Sequence, residues 1–234
     1  MVDENYKNFL IIRPLKKGMI TDINDMPMIK KSIIDKSDYK SIKITNFKNL
    51  SYITDRKDTI VDMFNYDYVL NSVWNDPLKY VALFQGLFAV STPDFSIYSD
   101  MNIYQISYNV YKSRWIGSFW QSFGINVIPT ISWYDEKTYD ICFSGVEKES
   151  TVIISTLGVR NNKKIFLNGF NEMKKRLKPS LIIVVGRILD EMYGEFLVYE
   201  LSDTFNPKKK YEQLSLFENI HYLRKEIGET KYGW

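Results

Sequence analysis

One histidine, His221, and one cysteine, Cys142, set the chemistry open to this chain. Zinc centres of the Cys/His kind, a histidine-dependent triad and a two-histidine iron site are excluded. A lone cysteine also excludes an internal disulfide and fits a reducing compartment. Catalysis would have to run on carboxylates, Lys, Tyr, Ser or a carboxylate-held Mg²⁺. The polar residues of interest follow apolar runs. Asp94 and Ser96 come after Leu87–Val90, and Ser132, Trp133 and Asp135 after Ile125–Ile128. Ser155 and Thr156 close Thr151–Ser155, and Gly186-Arg187 follows Leu181–Val185. Arg114 and Gln121, seven apart on one helix face, reach toward the same region. A carboxylate, hydroxyls, an arginine and a tryptophan at one mouth suit a small anionic or nucleotide ligand, with Thr156 and Gly158 offering backbone N–H groups to a phosphate.

A scaffold reading stands beside that one. Asp94 and Ser96 can cap the helix after their strand, Arg114 can brace Asp94 from within, and Trp133 can be a core lid. A Mg²⁺-dependent nuclease is the minor reading, drawing on Asp94, Asp135, Glu136 and Asp190-Glu191. Against it, Glu147-Lys148-Glu149 has the wrong order for a Glu-x-Lys arm. Outside that reading no cofactor is expected. The Gly158 and Gly186 turns lack the Lys-Ser/Thr of a phosphate-binding loop, so nucleotide hydrolysis is not expected.

The elements that position these residues come from the hydrophobic pattern. Ser41–Thr45 alternates as a strand, and Thr59–Phe64 is a second candidate. Asp67–Trp74 reads as a helix, and Asp76-Pro77 caps another running to about Gln85. Then come a strand over Leu87–Val90, a long helix over Met101–Phe123 stopped by Gly124, and a strand over Ile125–Ile128. Thr138–Phe143 is ambiguous. Strands over Thr151–Ser155 and Leu181–Val185 flank an amphipathic helix over Lys163–Leu177, and Phe196–Tyr199 reads as an edge strand. Unbroken apolar strands separated by helical lengths predict an α/β fold, a mostly parallel sheet with helices on both faces. Either a doubly wound sheet or a partial β/α barrel satisfies this. Residues 1–40, with Pro14, Gly18 and Pro27, read as an irregular arm, 41–204 as the α/β domain, and 205–234 as a tail beyond the linker Asn206–Lys210.

At 234 residues the chain can bury a substantial core. Its aromatic content of 15% is high, so many rings must line clefts or stay partly exposed. A net charge of +3 permits contact with nucleic acid without arguing for it. The acidic start and the lack of long apolar runs predict a soluble cytoplasmic protein that makes no membrane contact.

In the tail, Lys208-Lys209-Lys210 precede Gln213-Leu214-Ser215-Leu216-Phe217. The pentapeptide resembles the docking peptide that bacterial DNA polymerases and repair proteins insert into the sliding clamp. The resemblance implies that the Gln213 amide meets the groove rim while Leu216 and Phe217 fill an apolar pocket. A chance match at all five positions is expected in roughly fewer than one chain in a thousand. The other reading makes Leu214, Leu216 and Phe217 core anchors of a C-terminal helix. The three lysines can touch DNA phosphates or be ordinary solvated linker.

Asp67 to Gly186 resembles a family of uncharacterised proteins common in phages and mobile elements of Gram-positive bacteria. The matching pieces include Trp74-Asn75-Asp76-Pro77, Thr92-Pro93-Asp94-Phe95-Ser96 and Ser113-Arg114-Trp115-Ile116-Gly117. Val127-Ile128-Pro129-Thr130-Ile131-Ser132-Trp133, Cys142-Phe143-Ser144-Gly145 and Ser155-Thr156-Leu157-Gly158 complete them. The chain departs from the pattern at Gly186-Arg187, where an aromatic residue is expected before the glycine. The resemblance implies origin and fold, and transfers no activity to any position.

Overall fold

A computed structural model of the protein describes residues 13–159 and 162–199. Among the described residues seven strands succeed one another in chain order, every pairing between them parallel: β1 Lys43–Asn46, β2 Thr59–Asp62, β3 Ala89–Ser91, β4 Val127–Ile128, β5 Thr151–Ser155, β6 Leu181–Val185 and β7 Phe196–Tyr199. They form a four-stranded and a three-stranded sheet, and a parallel bridge between Thr130 and Ile153 joins one to the other. A doubly wound sheet would reverse its strand order at a switch point. No reversal occurs among the described residues, so the topology is that of the partial β/α barrel.

Burial argues the same way. Val61, Val90 and Val127 face one core cluster, and Val152, Ile154, Ile182 and Val184 face another. Strand side chains alternate between faces, so Ile60, Ala89, Ile128, Ile153 and Ile183 point to the other side. All five are 0% exposed although they belong to neither cluster. The sheet therefore buries that face largely against itself, by curling. Just ahead of the two outermost strands, Lys36 Nζ meets Glu195 Oε1 at 2.6 Å.

The helices are α1 Asp67–Asn75, α2 Pro77–Phe84, α3 Ile103–Gln121, α4 Tyr139–Cys142 and α5 Lys163–Leu177. Asp76 caps α2 by accepting from the Lys79 N–H, with Pro77 at the first helical position. Asn102 and Gln105 form a capping box at α3, a role that Asp94 and Ser96 do not take. Of the expected arm, residues 13–34 run over the body: Ile29 pairs with Val146 and is fully buried, and the Ser32 carbonyl accepts from the Thr151 N–H. Among the described residues no helix is long and apolar enough to cross a membrane. The expected linker and the Gln213–Phe217 peptide lie outside the described residues.

Candidate functional site

Parallel strands deliver their following loops to one edge, where ligands of such sheets bind. Beyond β3 the chain turns at Pro93-Asp94, and beyond β4 at Thr130–Ser132. Pro93, Asp94, Thr130 and Ser132 join Phe95, Ile97, Asn109, Val110, Ser113 and Arg114 in lining a small pocket with room for about one water molecule. Asp94 keeps part of its surface in solvent, yet its Oδ1 is sealed and has no hydrogen-bond partner among the described residues. Burial pushes its carboxyl up to about 6; the Ser132 hydroxyl and the Arg114 charge oppose this, and Asp67 adds to it.

Of the expected site residues, Asp94, Arg114 and Ser132 meet in this pocket. Arg114 does not brace Asp94 by an ion pair. Its Nε, Nη1 and Nη2 donate to the carbonyls of Ser144, Thr130 and Cys142 at 3.0, 2.9 and 2.8 Å. Burial lowers the guanidinium to about 10, so it stays charged at neutral pH. Three of its five N–H donors are thus committed to main chain, which fixes the guanidinium as a brace of the surrounding turns. Ser96 gives its N–H and hydroxyl to Asp67 Oδ1, both at 3.0 Å.

The four other candidates have separate partners. Trp133 donates to the Phe166 carbonyl at 3.2 Å and stacks on that ring at 5.1 Å, a lid against α5. Ser155 donates to the Val185 carbonyl and accepts from the Leu157 N–H, and the Thr156 N–H also donates to Val185; both residues close the β5 turn. Gln121 exchanges two bonds with the Lys30 main chain, at the end of α3 remote from the mouth. Arg114 and Gln121 therefore do not converge. The Cys142 thiol is pushed up to about 11 by burial, which keeps it protonated and unreactive. Among the described residues no group of three or more His, Cys, Asp or Glu could hold a metal ion.

Two polar residues escaped sequence reasoning. Asp62 ends β2; its Oδ1 accepts from Asn46 Nδ2 at 2.8 Å, and its buried Oδ2 has no partner among the described residues. Burial pushes this carboxyl up to about 7 against the bonds from Asn46 and the Phe64 N–H. An acid closing the apolar run Thr59-Ile60-Val61 was the available signal. Lys112 is 7% exposed, and burial lowers its ammonium.

These two carboxyls make stability depend on pH. In the unfolded chain an Asp ionises near pH 3.9, whereas the folded chain holds both protons until about pH 6 to 7. The folded state thus binds more protons across that window, and stability falls as pH rises through it, levelling off above. Between about pH 5 and pH 8 the expected loss is on the order of 4 kcal/mol. Denaturant titrations at about pH 5 and pH 8 should show it, and the double substitution Asp62→Asn/Asp94→Asn should flatten the slope. An unchanged slope in that variant would refute the assignment.

A family profile, "Domain of unknown function (DUF4417)", matches residues 24–202. The chain is 40% identical over 125 residues to the Gene 1 protein of Mycobacterium phage D29, a match covering 52% of this chain and 46% of that protein. It is 38% identical over 125 residues to the Gene 1 protein of Mycobacterium phage L5, covering 52% of this chain and 55% of that one. The match thus spans about half the length of each of these relatives. No solved structure matches. An α/β body of sequential parallel strands, matched by the profile over most of its length, identifies the chain as a member of the DUF4417 family, with relatives among mycobacteriophage proteins.

Proposed function

We propose that this protein docks on the bacterial DNA sliding clamp through Gln213-Leu214-Ser215-Leu216-Phe217 and acts in DNA replication or its modulation. The observation that carries this reading is the pentapeptide itself. The family match ends at residue 202, so the motif lies beyond the matched domain, directly behind Lys208–Lys210. The phage kinship of the domain supports it, because a phage gains by reaching the host replication machinery. In this reading Leu216 and Phe217 are the buried anchors, Gln213 orients the peptide, and the lysines meet DNA phosphates near the clamp. A peptide spanning Pro207–Ile220 and the whole chain should both bind purified clamp in a fluorescence polarisation or surface plasmon assay. Leu216→Ala/Phe217→Ala should weaken binding by about thirtyfold or more and leave the circular dichroism of the body unchanged. Absence of binding by peptide and chain alike would end the proposal.

A second reading rests on the unpartnered Asp94 Oδ1, which favours a small-ligand enzyme or sensor at the mouth. A sealed carboxyl oxygen beside Ser132 meets a hydrogen-bond donor, such as an amine or amide end, better than an anion. Differential thermal unfolding against nucleotides, phosphorylated metabolites and small amines separates these ligand classes. A stabilising ligand whose effect survives Asp94→Asn would remove Asp94 from the reading.

A further inference from the structure

Away from the Asp94 pocket, rings and cations alternate along the edge where α1 and α3 begin. Lys48 follows β1, and its Nζ stands 5.1 Å from the centroid of the Tyr66 ring. Tyr66 stacks on Tyr68 at 5.7 Å and 13°. Three residues on, and so on the same helix face, Asn71 accepts a hydrogen bond from Lys112 Nζ at 3.4 Å, which carries the seam across to α3. There the ammonium lies 5.2 Å from the centroid of Tyr108, and Tyr104 stands one turn before that ring. The four rings remain open to solvent, at 41% for Tyr66, 64% for Tyr68, 82% for Tyr104 and 51% for Tyr108. Asp67, the acid between the first two, accepts two bonds from Ser96, and its charge is opposed by Lys112.

We propose that this seam between α1 and α3 binds single-stranded nucleic acid, its bases stacking on the tyrosines and a phosphate meeting Lys48. The surface has what such strands need: flat rings that accept any base, one pair already stacked, and one exposed cation, Lys48, beside them. A protein partner would need a desolvated apolar centre. Here every ring carries a hydroxyl, and lysine and asparagine lie between the rings. The site uses no residue of the tail and does not depend on clamp docking.

The test uses the whole chain and fluorescein-labelled oligo-dT and oligo-U of about twenty nucleotides, followed by anisotropy at low salt. Tyr68 and Tyr104 are the most exposed of the four, so replacing them leaves the fold intact. Tyr68→Ala/Tyr104→Ala should weaken binding by about tenfold or more, whereas Tyr68→Phe/Tyr104→Phe keeps the rings and should bind like wild type. Lys48→Ala should reduce the salt slope by about one. Comparing the two strands shows whether DNA or RNA is preferred. Leu216→Ala/Phe217→Ala should bind the strands normally, which separates this proposal from clamp docking. Failure of wild type to bind either strand, as a protein-docking face would, overturns the proposal. Full binding by the double alanine variant, as when Lys208–Lys210 alone hold the strand, overturns it equally.

Discussion

Arg114→Ala should destabilise the protein by about 4 kcal/mol, a fall in melting temperature of roughly 10 °C for a chain of this size. Arg114 is 2% exposed, and its guanidinium ties together three main-chain carbonyls that lie 16, 28 and 30 residues away. These belong to Thr130, beyond β4, and to Cys142 and Ser144, at the end of α4 and in the turn after it. Truncation leaves the three carbonyls unpaired in a dry interior and opens a cavity the size of an arginine. Arg114→Lys should recover only part of the loss, because one ammonium cannot reproduce a planar fork aimed in three directions. Chemical denaturation checks both variants. A wild-type midpoint for Arg114→Ala would mean that water replaces the guanidinium and that the residue is free to serve a ligand.

Gly145→Ala should cost about 3 kcal/mol, part from backbone strain and part from a clash. Gly145 sits at φ 67°, where a side chain is disfavoured. An added Cβ would stand 2.5 Å from the Pro27 carbonyl oxygen and 2.7 Å from Met26 Cγ. That contact is where residues 13–34 are pinned. The Gly145 N–H donates to Asp22 Oδ2 at 3.0 Å, and its carbonyl accepts from the Ile29 N–H at 2.9 Å. Displacing Pro27 would lift Ile29 from its fully buried place. Hydrogen exchange should therefore show the Ile29 and Glu147 amides losing protection before the β5 and β6 amides do. Uniform loss across all of them would show that the segment does not open on its own.

Strong local patterns were legible to the residue. β5, β6, β7 and α5 fall where the apolar runs and the amphipathic period place them. Weaker signals blurred: Leu87 and Phe88 look like strand, but Gly86 turns at φ 77° and the ladder begins at Ala89. Thr138–Phe143 resolved into α4, only four residues long, too short for a period to declare itself. The parallel α/β class could be read from composition along the chain, whereas closure could not, because strand order depends on pairings between distant segments.

The candidate site divides in the same way. Residue order alone placed Asp94 and Ser132 after strands, and parallel pairing then put them at one mouth. Arg114 and Gln121 share a helix face by spacing, but seven residues advance about 10 Å along an α-helix. With β4 only two residues long, that distance carries Gln121 to the opposite end of the sheet, onto Lys30. The clamp peptide is a property of the sequence, since five residue types in order are enough to define what a groove would recognise. What tertiary structure alone decided is which polar groups are already satisfied. Arg114 and Trp133 look like ligand-binding groups until their donors are seen bonded to main-chain carbonyls brought near only by the fold, whereas the buried carboxyl oxygens of Asp62 and Asp94 are left without partners.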